Sequence, residues 1–268
     1  MNENYENNHE ELTRMVEPEI IKMGAINRII SIFIAPGELM KNVKAYPVIL
    51  VPFLVSVILG LIAVAPNQTV SQLATIEMGN ISIERFGVNL FDMDAAFDEY
   101  GDAGTAAAFD AFTMITLIAT AVIGPLLLSL IYTIFLYVFS KIARGQTTFG
   151  QMYAMCMHVY VIAALGALIS AVLMSATNSL VDLTSLAAVL MPNGRMDSFA
   201  FNFLNMISVF VIWDAIVTFI GVKVINEFSG LKAGVITAIL FFGGVGVASA
   251  LMMTTWWLMD IGMAALMY

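Results

Sequence analysis

The sequence predicts an all-α, polytopic membrane protein with five transmembrane helices, the N-terminus cytoplasmic and the C-terminus outside. Three observations predict it. First, 60% of the 268 residues are hydrophobic, only 12% are charged, and the mean hydropathy is +0.90. A soluble domain is about 45–50% apolar and about 25% charged; folded as one, this chain would expose aggregation-prone apolar patches. Second, five runs approach the roughly 20 apolar residues that a bilayer-crossing helix needs. Third, the basic residues segregate between those runs as the positive-inside bias requires.

The runs are residues 45–65, 111–139, 156–176, 204–225 and 233–253. The first two carry no charge, and the second is long enough to tilt or to extend past the bilayer. Prolines within spans are tolerated where neighbouring helices satisfy the freed carbonyls. Pro47 lies near the start of the first run, and kinks are expected at Pro52 and Pro125. Arg14, Lys22, Arg28, Lys41 and Lys44 precede the first run, Lys141 and Arg144 follow the second, and Lys223 and Lys232 bracket the connection from fourth to fifth. Only Arg85 and Arg195 fall on the other side.

Ahead of the spans, residues 1–19 form a polar acidic tail without the basic start and apolar centre of a signal peptide. Residues 20–44 are amphipathic. The stretch IIKMGAINRIISIFI is too short and too charged to cross a bilayer and suits an interfacial helix. Ala35-Pro36-Gly37 ends it, and a short helix from Glu38 to Lys44 leads into the membrane domain, residues 45–255. Residues 66–110 are expected to form an acidic outer loop, with Glu77, Glu84, Asp92, Asp94, Asp98, Glu99, Asp102 and Asp110. Leu180 to Met191 is expected to be interfacial or re-entrant. Trp256-Trp257 suits the aromatic belt, so the apolar tail 256–268 is expected to lie flat outside.

Three segments carry a family resemblance: IFIAPGELMKNVKAYP before the first span, ARGQTTFGQMYAMCMHVYV at the third, and FVIWDAIVTFIGVKVINEFSGLKAGV over the fourth and fifth. In their order and spacing, marked by Pro36, Gly145 to Phe149, Trp213, Gly221, Ser229 and Lys232, they resemble the prokaryotic branch of the Yip1 family over roughly residues 25–255. The resemblance implies a cytoplasmic N-terminal region and five clustered spans. It also implies a role beside other membrane proteins: eukaryotic members are linked to Rab GTPases and vesicle traffic, and some bacterial ones accompany ABC-type exporters. The stretch 66–110 is longer than the family leads one to expect.

Asp214 is the one acid well inside a span. A charged carboxylate at the bilayer centre costs about 2.5–3.5 kcal/mol on insertion scales, so it is expected to be neutral, paired or facing water. It suits either a proton or cation path or a hydrogen-bonded acid fastening spans together. His158 lies near the cytoplasmic start of the third span, at a depth that separates it from Asp214, and suits packing better than ligation. Lys223 is on nearly the opposite helical face from Asp214 and is expected to snorkel to the headgroups. Ala163, Gly166, Ala167 and Ala171 in span three, and Gly234, Ala238, Gly246 and Ala250 in span five, form small-residue stripes that let helices approach in lipid. Asp92, Asp94 and Asp98 begin like a calcium loop, but Phe97 stands where the loop glycine belongs and Ala103 where the bidentate glutamate belongs.

The lone Cys156 excludes an internal disulfide, and the 19 methionines are spread along the chain as packing residues. Two sequons, Asn67-Gln68-Thr69 and Asn80-Ile81-Ser82, matter only in a eukaryote. His9-Glu10-Glu11 lacks the second histidine of a zinc-protease helix, and no nucleophile elbow or P-loop occurs. With a net charge of −9 and no basic block, nucleic acid is not an expected partner. The expected function is therefore a non-enzymatic accessory or membrane-organising component of a prokaryotic cell membrane, without cofactor or metal. Its expected partners are lipids and other membrane proteins. The alternative is a permease, or a transporter subunit, that uses Asp214; a third reading is an outward sensor that uses the acidic loop.

Overall fold

The computed structural model describes residues 20–89 and 103–266, and among these all regular structure is helical. Four helices are singly long and apolar enough to cross a bilayer: α5 (Ala103–Ile142), α6 (Phe149–Thr177), α9 (Val209–Asn226) and α10 (Gly230–Leu266). A bent pair, α3 (Leu50–Ile62) and α4 (Val64–Phe86), supplies the fifth crossing when counted as one. Before it come α1 (Ala25–Ile34) and α2 (Pro36–Ala45), and between α6 and α9 lie the short α7 (Leu186–Leu190) and α8 (Phe199–Met206).

The first span departs most from expectation. Residues 46–49 are not helical, α3 holds only 13 residues, and the chain then turns by 54° into α4. The cause is Pro66. Its ring excludes the carbonyl of the residue four back, Ile62, where α3 ends. Pro52 sits in the first turn of α3, where its missing N–H costs nothing, and α5 runs through Pro125 unbroken, so the break falls at neither expected kink. Pro125 frees the carbonyl of Ala121, and α3 approaches there through Gly60, whose added Cβ would lie 3.3 Å from that oxygen.

Residues 66–110 are not one loop: α4 fills 64–86, α5 begins at Ala103, and both sequons lie in α4. The Asp92–Asp102 run and the tail 1–19 lie outside the described residues. Nor does the C-terminal segment turn flat. α10 continues through the tryptophans to Leu266, with Trp256 buried and Trp257 exposed. Instead of one span from 204, a break at Ile207-Ser208 separates α8 from α9, which Ser208 caps.

Helix α6 is the centre of the bundle. Its stretch from Met152 to Ile162 is buried almost all round, as expected of a helix that is apolar on every side. A capping box of Thr148 and Gln151 starts it, and Gln151 also donates to the carbonyl of Lys44, tying α6 to α2. Core residues cluster at this end of the molecule: Ile32 of α1, Leu39, Met40 and Val43 of α2, Leu136 of α5, and Val222 and Ile225 of α9.

The α2 face is pinned by Arg28, which is 1% exposed. Its guanidinium donates to the carbonyls of Met23 (3.2 Å) and Tyr46 (3.1 Å) and to Asn42 Oδ1 (2.6 Å). Burial draws its pKa below the ordinary arginine value, and the carbonyl ring stands in for a counter-ion. Ile26, Ile30 and Ile34 of the same helix are exposed, so α1 turns its one charge inward and its apolar edge outward. Lys44 of α2 pairs with Glu227 at the end of α9 and holds that carboxyl below the ordinary glutamate value.

At the opposite face an ion network joins α4, the 194–198 turn and α10. Arg85 reaches Asp197 (3.1 Å) and Asp260 (3.3 Å) and lies over the Trp256 ring, while Arg195 reaches Glu84 (2.5 Å) and Asp197 (3.4 Å). Both outlying arginines are thus neutralised. These pairs are partly exposed, so Arg85→Ala is expected to lower stability by only about 1–2 kcal/mol at low salt. Thermal unfolding in detergent checks this, and the gap to the parent should narrow in 1 M salt.

Candidate functional site

Asp214 lies on α9, roughly a dozen residues before the helix ends at Asn226, which is about 18 Å at 1.5 Å per residue. Half-buried, it accepts a long hydrogen bond from Thr218 (3.4 Å), one helical turn on, and no cation pairs with it among the described residues. The carboxylate borders a cavity of about 270 Å³ between α5, α6, α9 and α10, shared with Ser129, Tyr132, Cys156 and Tyr160. The cavity opens sideways between α5 and α10, past exposed Leu128 and Gly244. A second cavity of about 130 Å³, lined by Ser56, Asn67 and Thr120, lies on the other side of Tyr160, and the hydroxyl of Ser56 is buried there without a partner.

His158 belongs to neither cavity. It is fully buried in α6, where its Nδ1–H donates to the Ala154 carbonyl (2.7 Å) and Nε2 meets no partner among the described residues. The structure therefore does not bring His158 and Asp214 together. Lys223 is exposed.

The two small-residue stripes fare differently. On α6, Gly166 meets α9: an added Cβ would lie 2.5 Å from Phe210 Cβ. Ala171 is buried, Ala163 half-buried, and Ala167 lines the smaller cavity. On α10, Ala238 and Ala250 are exposed and Gly246 has open space around it; Gly234 comes only within ordinary contact of Phe219. The stripe on α10 is therefore not its packing face within one chain. That role falls to Ala233, Ile236, Thr237, Val245 and Ser249, because α10 turns its branched and hydroxyl-bearing residues toward α8 and α9.

The segment Leu180 to Met191, expected to be interfacial or re-entrant, folds as a hydrogen-bonded turn followed by the short α7. Buried Asp182 accepts from Ser170 (2.7 Å) and from the N–H (2.8 Å) and hydroxyl (2.7 Å) of Thr184, while Asn205 holds its own N–H (2.9 Å). Leu183, Val189 and Leu190 remain exposed. Sequence reasoning missed Tyr132 and Tyr160 beside Asp214; hydroxyl-bearing rings inside otherwise apolar spans were the available signal. It also missed the inward turn of Arg28, readable from its offset to the outward Ile26, Ile30 and Ile34.

A bundle of four to five helices long and apolar enough to cross a bilayer defines an all-helical, multi-pass membrane protein, and no cluster of metal-ligating side chains occurs among the described residues. A Yip1 domain family model matches residues 30–252, and the chain belongs to the Yip1 family. The membrane protein YknW of Bacillus subtilis (strain 168) is 32% identical over 127 residues, 47% of this chain. The chain covers 53% of that relative, about half its length. No solved structure matches. The family motif residues gather at the α2 face: Pro36 begins α2, Gly145 lies against Asn226 and Phe228, Gly221 against Met155 and Met40, and Ser229 receives the N–H of Lys232 at the start of α10. Trp213 sits beside Asp214, its indole N–H buried without a partner among the described residues.

Proposed function

We propose that this protein is a non-enzymatic accessory component of the cell membrane, which associates sideways with another membrane protein through the groove between α5 and α10. The observation that carries this reading is the half-buried Asp214 carboxylate at the wall of a cavity that opens toward lipid. An acid kept at that depth is expensive unless it meets a donor or cation. The groove is smaller than the roughly 300–1,000 Å³ of a small-molecule pocket, and suits a side chain from a neighbouring helix. Eight described basic residues lie toward the α2 face and two at the other, which supports a cytoplasmic α2 face.

The test is in-cell photo-cross-linking from positions 128 and 244. Adducts to a membrane protein are expected from both, falling at least about tenfold in Asp214→Asn, as for the loss of one buried charged hydrogen bond. Adducts that ignore Asp214→Asn, or lipid adducts alone, would overturn the reading. A second reading, a permease or transporter subunit, draws support from Tyr160 as common wall of the two cavities. Cation or proton flux in proteoliposomes, abolished by Asp214→Asn, would establish it in place of the first.

A further inference from the structure

The α5–α6 turn gathers three cations that the groove does not use. Helix α5 ends with Arg144 in the left-handed region (φ +62°), an uncommon conformation for a side-chain-bearing residue, and Gly145 N–H closes back on the Ser140 carbonyl (2.7 Å). Lys141 donates to the Gly145 carbonyl (3.2 Å) and lies over the Tyr137 ring. From the start of α10, Lys232 donates to the Ala143 carbonyl (3.2 Å) and lies over the Phe228 ring. Two ammonium groups are thereby held on one three-residue turn, whose middle residue is the exposed Arg144. Each ammonium has three N–H donors and spends one on a carbonyl.

No carboxylate pairs with any of the three among the described residues, whereas Lys41 pairs with Glu38 and Lys44 with Glu227. Glu227, the acid next to Phe228, is thus already engaged. Like charges held together repel unless an anion lies among them. The turn lies at the ends of two candidate spans, the close of α5 and the start of α10, which is where headgroups meet a bilayer-crossing helix. Beside two of the cations lie apolar residues that no described residue covers, Ile142 at 74% and Leu231 at 82% exposure, suited to contact with acyl chains.

We propose that Lys141, Arg144 and Lys232 form a binding site for the phosphate of an anionic phospholipid in the adjoining leaflet. The site is independent of the groove. Free phosphate offers the same chemistry, but the flanking isoleucine and leucine favour the lipid as its source.

Native mass spectrometry of the detergent-solubilised full chain, loaded with phosphatidylglycerol or phosphatidylcholine, tests this. Phosphatidylglycerol is expected to be retained preferentially, and K141Q/K232Q to lower its retention about 25-fold, roughly fivefold for each lysine removed. K22Q/K41Q, which alters the net charge equally on the same face, should lower it far less. Retention that ignores the headgroup, an equal loss in both double variants, or full displacement by soluble glycerol phosphate would overturn the proposal. So would unchanged retention caused by an acidic protein segment occupying the turn. If K141Q/K232Q fails to fold, Arg144→Gln must lower retention about fivefold; no change would overturn the proposal equally.

Discussion

Arg28→Leu is expected to destabilise the protein by about 2–5 kcal/mol, because two part-buried carbonyls lose their donor and buried Asn42 loses its shortest bond. Asn42 keeps partners in the N–H of Met23 and the carbonyl of Ile21, which holds the figure below a full three-bond loss. Leucine fits the outward isoleucine edge of α1, so the helix is expected to roll and release α2. Thermal unfolding and limited proteolysis between α1 and α3 read the two effects. Arg28→Lys should recover only part of the loss, since one ammonium cannot span three acceptors arranged for a planar fork. An unchanged unfolding temperature in Arg28→Leu would mean that the carbonyl ring does not hold the α2 face.

Gly145→Ala is expected to cost about 1–3 kcal/mol, with valine worse. An added Cβ would overlap Asn226 Oδ1 and lie 2.9 Å from both Phe228 Cζ and the Ser140 carbonyl oxygen. The last of these is decisive, because backbone in the final turn of α5 cannot swing aside as a side chain can. Asn226→Ala in the same chain should relieve part of the loss, so the double variant is less than additive. Unfolding in detergent checks both. Equal stability of Gly145→Ala and the parent would show that the α5–α6 and α9–α10 turns do not press together as described.

Uninterrupted apolar runs made α5, α6, α9 and α10 legible in the sequence, and the isolation of Asp214 among them marked the candidate site. What escaped depended on neighbours. Pro66 follows an apolar run and reads as its end, yet the chain stays helical beyond it, because α4 packs on α5 and α6 and only the angle changes. Thr254, Thr255 and Asp260 dilute the hydropathy after the fifth run, so its helix seemed to stop; Asp260 in fact meets Arg85. On α10 the spacing of Gly234, Ala238, Gly246 and Ala250 correctly describes one helix face. Which face turns inward is set by α8 and α9, and no pattern within α10 contains that. Tyr132 and Tyr160 likewise flank Asp214 only once three helices have assembled.

The elbow after Ile62 leaves an uneven greasy collar around the molecule. On one flank the straight apolar rod α3 is 13 residues, about 20 Å, while α5 offers a largely apolar stretch of 32 residues, about 48 Å, against a hydrocarbon layer of about 30 Å. Lipid tails beside α3 must shorten or splay, and those beside α5 can stretch or let the rod lean. In a bilayer the protein is expected to impose a thickness gradient across its own width. It would settle where the surrounding sheet is thin and draw short-chain lipids to one side.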